Sequence, residues 1–214
     1  MPPTWPRLIA APLESSRLLL EPLRVQHVEE AVTVFDDLRL HTYLGAAPAT
    51  YDQLRSRFAR QVLGRSADGS EDWLNWMARD RASGGIAGTV QSTVHQAGER
   101  RSAELRSAEL RSGQPRSGEP LVAEVAWVVA VPFQGRGLAT EAAGTMIGWL
   151  RQHGVDEVIA HIHPDNRASI GVARALALRP TSIVQDGELR WTSIPDQSAA
   201  FDPVADHVVG VLRE

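Results

Sequence analysis

The stretch from Val122 to Gln152 constrains the fold of this chain more than any other. Its first part, Val122 to Val131 (VAEVAWVVAV), is almost continuously apolar, with Glu124 its one acidic residue. Such a run predicts a central strand buried on both faces, because a strand covered on only one face alternates apolar and polar residues. A turn follows, Pro132-Phe133-Gln134-Gly135-Arg136-Gly137, and then a helix over Leu138 to Gln152. There Leu138, Ala142, Met146 and Trp149 form one stripe, with Ala139, Ala143, Ile147 and Leu150 beside it, as on a helix face. Gly154 supplies the stop. A buried strand feeding a long amphipathic helix needs a sheet with helices packed on it, so the expected class is mixed α/β.

The flanking segments agree. Arg17 to Pro22 reads as a strand ended by proline, which cannot donate to a ladder. Val25 to Leu38 carries Val28, Ala31, Val32 and Phe35 at helical spacing, and Tyr51 to Leu63 predicts a second helix. Trp73 to Ala78 and Ile86 to Val94 form a hairpin around the turn-forming Asp80 to Gly85. Glu157 to Ile162 is a strand, and Arg167 to Leu178 a helix capped by Asp165 or Asn166. Thr181 to Gln185 and Glu188 to Ile194 flank Asp186-Gly187, a strong hairpin signal.

Arg101 to Pro120 is four tandem five-residue units, RSAEL, RSAEL, RSGQP and RSGEP. A period of five matches neither helix nor strand, so this segment is expected to be a solvated insertion, with a substrate lid or partner loop as the functional alternative. The expected organisation is a domain over 13–194 interrupted by a low-complexity insertion at 97–120, with a tail at 195–214 that ends in a short helix after Asp202-Pro203.

Composition narrows the function. The chain has 214 residues and no Cys, which excludes a disulfide scaffold, a thiol nucleophile and Cys-ligated metals. All 22 basic residues are Arg, so chemistry that requires a phosphate-loop or Schiff-base Lys is excluded. A net charge of -4 argues against nucleic acid as a partner. No apolar run approaches the ~20 residues of a membrane helix, and the start MPPTWPRLIAAPLESSR lacks a signal-peptide pattern. A cytoplasmic protein with no membrane partner is expected.

The chemistry gathers where the apolar strand meets its helix. Glycines in that turn let backbone N–H groups approach an anion, and the helix dipole favours negative charge there. The dinucleotide fingerprint would need a third glycine at position 140, which is Thr140. A phosphate or pyrophosphate cradle of another kind, or an ordinary tight turn, remains.

The run Gln134-Gly135-Arg136-Gly137-Leu138-Ala139 resembles the acetyl-CoA-binding motif of the GNAT superfamily of N-acetyltransferases, Gln/Arg-x-x-Gly-x-Gly/Ala. Thr140-Glu141-Ala142 continues it as in the ribosomal-protein N-terminal alanine acetyltransferase branch. Pro164-Asp165-Asn166-Arg167-Ala168-Ser169 is similar to that branch's P-x-N-x-x-S segment, and the opening SRLLLEPL is similar to its start. The resemblance implies a mixed, mostly antiparallel sheet flanked by helices and splayed at the cofactor site. It implies acetyl-CoA as co-substrate, held at its pyrophosphate by the backbone of Gln134, Gly135, Arg136, Gly137, Leu138, Ala139 and Thr140. Val129 and Val131 would pair with the pantetheine arm, and Asn166 would touch it or simply cap its helix.

Glu124, the only acidic residue of the apolar run, is the candidate base and matches a position where that branch often has Glu on the corresponding strand, the alternative being an exposed charge near a strand end. The family's Tyr acid after the Asn segment has no counterpart, because the only tyrosines, Tyr43 and Tyr51, are far upstream. Ser169 could protonate or anchor the departing thiolate, or serve only the helix start. Leu176-Ala177-Leu178 stands where the family commonly has Leu-Gly-Phe, which reads as a conservative packing change. Glu21 stands where the branch often has Arg.

His161 and His163 share a strand face, yet no third ligand stands at a fixed spacing and no metal is expected. Trp73, Trp76 and Trp127 fall on strands that could reach an acceptor cleft. The function implied is an acetyl-CoA-dependent N-acetyltransferase acting on a primary amine, a protein N-terminus or a small molecule, as monomer or homodimer. The alternative is a non-catalytic acyl-CoA-binding module of the same fold.

Overall fold

The computed structural model describes residues 5–43, 47–98 and 120–194. The pentapeptide copies up to Glu119 and the tail from Pro195 lie outside the described residues. Eight strands make one sheet: β1 (Leu13–Glu14), β2 (Leu18–Pro22), β3 (Glu71–Asp80), β4 (Ile86–Gln96), β5 (Leu121–Val129), β6 (Val155–Ile162), β7 (Arg179–Gln185) and β8 (Glu188–Thr192). Their spatial order is β1-β2-β3-β4-β5-β6-β8-β7. Every neighbouring pair is antiparallel except β5 and β6, which run parallel. Four α-helices are described: α1 (Val28–Val34), α2 (Tyr51–Gln61), α3 (Leu138–Gln152) and α4 (Arg167–Ala175).

The two sheet faces carry separate cores. Leu74, Trp76 and Ala78 of β3, with Val90, Val94, Ala123 and Val125, pack under α3 and α4. Helix α3 buries Leu138, Ala142, Ala143, Met146, Ile147 and Leu150 of the stripes read from the sequence, and leaves their other members, Ala139 and Trp149, half-buried. On the opposite face Met77 and Ile86 pack against Val28, Ala31, Leu54 and Phe58 of α1 and α2. The alternation of Trp76, Met77 and Ala78 between faces is the two-residue period of a strand covered on both sides.

Local chemistry sets the turns. Asp80 accepts hydrogen bonds from the backbone and hydroxyl of Ser83 at 3.0 and 2.7 Å, which closes the β3–β4 hairpin. Asp186 and Gly187 take φ of 51° and 82°, both left-handed, as a two-residue hairpin turn demands. The carboxylate of Asp72, fully buried, accepts from the Trp5 indole at 3.1 Å, the Leu8 amide at 2.8 Å and Arg65 at 2.6 Å. That pairing offsets its desolvation and ties down residues 5–8.

Three expectations need correction. The segment Val25 to Leu38 is not one helix: 3-10 turns at Val25–His27 and Leu38–His41 flank the seven-residue α1. Asp37 caps the second turn by accepting from the Arg39 amide at 2.9 Å, which starts a new element where the helix would have continued. The central strand is not buried on both faces throughout, since Glu124 and Ala126 are exposed and Trp127 to Val129 are half-buried. It also ends at Val129, so Val131 opens a short 3-10 turn ahead of Pro132.

A fourth concerns Ala177. It adopts φ of 60° directly after the cap of α4, while the Leu178 amide donates to Ala173 and the Ala177 amide to Arg174, at 2.9 and 3.0 Å. This is the double closure that favours glycine at that position. The change from Gly to Ala is therefore a backbone strain of ~1 kcal/mol and not a packing matter. Glu21, the other departure, is paired with Arg79 at 3.2 Å and faces His27 at 3.4 Å.

Candidate active site

The parallel pair β5–β6 is joined only over Leu121 to Glu124, opposite Val155 to Ile159. Beyond Glu124, β5 follows β4 as far as Val129, while β6 turns away along β8 through Ile162. The two strands thus leave a wedge between them. Gly88 permits this end of β5 to lie close to β4: a Cβ there would stand 2.3 Å from the Val128 carbonyl oxygen.

Past the wedge, the chain enters the glycine turn. Gly135 and Gly137 have φ of 72° and 74°, left-handed values that glycine adopts without strain. Gly137 is the N-cap of α3, so the first amides of that helix have no partner within it and face outward with the positive end of the dipole. A Cβ on Gly135 would meet nothing within 4 Å, and one on Gly137 only Arg17 at 3.7 Å. The concave side of the loop is open, as an anion cradle must be. Leu138 is buried in the core, so that residue presents only its backbone.

Two residues to which the sequence assigned no role hold this loop. Glu141 pairs with Arg17 at 2.6 Å and accepts from the Ser15 and Ser16 hydroxyls and the Arg17 amide, at 2.7, 3.0 and 2.8 Å. Arg17 also donates to the Arg136 carbonyl at 2.9 Å. Burial alone would raise the Glu141 carboxyl, but these donors outweigh it and bring it down to about 2. Gln134 donates through Nε2 to the Val129 carbonyl at 3.0 Å. The Arg136 guanidinium rests 5.6 Å from the Phe133 ring centre.

The mouth of the wedge opens into a cavity of about 370 Å³. Phe35, Leu54, Phe58 and Met77 give it an apolar wall, and Val125 to Val128 with Ala160 to His163 form the two strand sides. Of the three tryptophans considered, only Trp127 lines it, since Trp76 is fully buried and Trp73 lies at a smaller hollow near Arg7. Asn166 and Ser169 are both on its wall. The Asn166 side chain caps α4 by accepting from the Ser169 amide at 3.1 Å.

Tyr43, set aside as too distant in sequence, folds onto the cavity. Its hydroxyl donates to the Asp165 carbonyl at 3.1 Å and its ring sits 5.3 Å from that of His163. His161 and His163 also line the cavity, and no group of three metal-ligating side chains occurs among the described residues. Glu124 is just outside the cavity, on the same strand face as Ala126, which lines it. Its side chain is 47% exposed and 3.4 Å from His95. The hydrogen bond with His95 holds the Glu124 carboxyl below its ordinary value and raises His95 above its own.

A sequence model described as an acetyltransferase (GNAT) domain matches residues 17–179. A search of curated proteins finds no match. Among solved structures, a protein from Bordetella pertussis described as a GnaT-family acetyltransferase is 25% identical, with a TM-score of 0.57 over 85% of this chain and 97% of its own. RimL, a ribosomal L7/L12 alpha-N-protein acetyltransferase in complex with coenzyme A, is 13% identical with a TM-score of 0.61 over 85% and 97%. The Microcin C7 self-immunity acetyltransferase MccE, in complex with acetyl-CoA and AMP, is 12% identical with a TM-score of 0.60 over 85% and 94%. At such identities the last two speak for the fold.

Proposed function

This chain belongs to the GNAT acetyltransferase family, and from that premise we propose that it transfers an acetyl group from acetyl-CoA to a primary amine by direct attack on the thioester. The observation that carries the proposal is the wedge between β5 and β6. One of its ends meets an open glycine turn and helix N-terminus, and the other meets an apolar cavity with ionisable side chains beside it. An extended molecule with an anionic middle and an uncharged reactive end matches that layout.

When bound, acetyl-CoA supplies an acyl group that is already activated, so the protein has chiefly to position reactants and move protons. The backbone of residues 134–140 holds the pyrophosphate. Val129 and Val131 offer backbone groups to the pantetheine arm, with Asn166 on the facing wall. Both valine carbonyls already accept from Gln134, at 3.0 Å for Val129 and 3.2 Å for Val131, and each keeps a second lone pair.

Glu124 receives the proton lost by the attacking nitrogen. Its partly exposed carboxylate beside the cavity suits an amine arriving from solvent. Ser169 stands on the wall with its hydroxyl uncommitted among the described residues, whereas the Tyr43 hydroxyl is engaged with Asp165. Ser169 is therefore the available hydrogen-bond donor for the departing sulfur. The acceptor is a protein N-terminus or a small-molecule amine.

Calorimetric titration with acetyl-CoA, with NAD as control, tests the cradle. Selective binding that disappears in Gly137→Trp is expected; a folded protein that binds neither would end the proposal. Glu124→Gln then separates a catalyst from a module that only binds acyl-CoA. A catalyst loses ~10²-fold or more in thiol release while its affinity for acetyl-CoA holds.

A further inference from the structure

We propose that His95 is the final acceptor of the proton removed from the amine, with Glu124 as the group that hands it over. The inference rests on the acetyltransferase reading above and adds a residue that neither motif nor cavity points to. His95 and Glu124 are diagonal neighbours on adjacent strands, since Glu124 pairs with Thr93 and His95 with Val122. Their side chains share one sheet face, and His95 Nε2 stands 3.4 Å from Glu124 Oε1.

The backbone decides the tautomer. His95 Nδ1 lies 2.8 Å from the carbonyl oxygen of Gln96. A carbonyl can only accept, so Nδ1 carries the hydrogen. The imidazolium therefore donates Nε2–H to the Glu124 carboxylate, and once that proton is lost the lone pair on Nε2 can accept one that Glu124 carries. A proton reaching that carboxylate has a second station within reach.

Such a station answers a mismatch of basicity. An amine to be deprotonated has a pKa of roughly 8 to 10, against roughly 4 for a carboxylate, so a lone Glu is a weak base for it. Imidazole is closer by more than two units. Three further groups face the pair. Glu71 of β3 lies directly across from His95, with one carboxylate oxygen accepting from the Trp73 indole at 2.9 Å. Glu124 of β5 is the partner, and His161 of β6 and Arg190 of β8 act on Glu124. Two carboxylates thus favour the imidazolium, while the hydrogen bond with His95 and the charge of Arg190 favour the ionised form of Glu124.

The step balances as follows. The nitrogen lone pair forms the C–N bond to the acyl carbon as the C–S bond breaks. Its surplus proton passes to Glu124 Oε1 and from there to His95 Nε2, which leaves a thiolate and an imidazolium. His95 then releases its proton to solvent, and the thiolate, accepting a hydrogen bond from Ser169, takes its proton from solvent.

Two measurements test this. In the protein alone, proton NMR of the imidazole C–H should give His95 a midpoint above ~6.5, falling in Glu124→Gln. With turnover, kcat against pH should show a rising limb common to two acceptors whose amines differ in pKa by about two units. His95→Asn, and His95→Gln as a second variant, should remove that limb and lower kcat ~10²-fold with affinity for acetyl-CoA unchanged. A limb that follows the acceptor's own amine, or survives both substitutions, overturns the relay alone, as does a midpoint indifferent to Glu124→Gln. A protein that binds acetyl-CoA yet releases thiol with no amine overturns the acetyltransferase reading and the relay together.

Discussion

Arg17 and Glu141 meet at 2.6 Å although 124 residues separate them, and the contact fastens the strand that opens the domain to the helix that opens the proposed cofactor site. The carboxylate takes four donors from Ser15, Ser16 and Arg17, and Arg17 in turn holds the Arg136 carbonyl. The turn over residues 134–137 is thereby set before any anion arrives. Preorganisation of this kind adds to affinity by removing the cost of ordering the loop.

Glu141→Gln should lower stability by about 2 kcal/mol, as expected when a charged hydrogen-bond acceptor is neutralised. It should also weaken acetyl-CoA binding by about tenfold. The pH dependence has a definite sign. The carboxyl is depressed from its ordinary 4.5 to about 2, so its contribution is complete above 4.5 and fades as pH falls toward 2. Acid unfolding followed by circular dichroism should show this component in the wild type and lack it in the variant. Identical acid profiles would remove the clamp from the account.

Ala177→Gly should stabilise the protein. The residue after the α4 cap already has φ of 60° with both closing hydrogen bonds in place, so glycine relieves strain without altering a contact. The gain is ~1 kcal/mol, or a rise in Tm of about 2–4 °C for a chain of this size. A thermal melt decides it, and a lower Tm would mean that the freedom added to the unfolded chain outweighs the strain relieved.

Asn166 combines a cap with a proposed cofactor contact, and two substitutions divide them. Asn166→Ala should cost about 1 kcal/mol of stability, whereas Asn166→Ser, itself a good cap, should cost little. If the side chain touches the pantetheine arm, both variants lose affinity for acetyl-CoA to a similar degree. Affinity lost only with Ala would assign the residue to the helix alone.

What could be read from the sequence was what local periodicity and turn chemistry encode. The bounds of α3, Leu138 to Gln152, follow from its stripes, and the β7–β8 turn follows from Asp186-Gly187. The missed features depend on separation in space. Glu124 and Ala126 sit in an apolar run, and their exposure arises because β6 departs from β5 at that point, which no window of the sequence contains. Tyr43 reaches Asp165 across 122 positions. The pairing of His95 with Glu124 requires the β4–β5 register. Ala177 is the instructive error, because Ala beside Leu reads as packing until its dihedral angle is known.

The wedge also divides the sheet mechanically. Strands β1 to β5 form one plate and β6, β8 and β7 another, stitched along their common seam by the short ladder from Leu121 to Glu124 and by the helices laid over it. A molecule lying along the open edge of β5 works as a fastener at the loose end of that seam. Occupancy of that edge would therefore stiffen the C-terminal plate against the rest of the sheet.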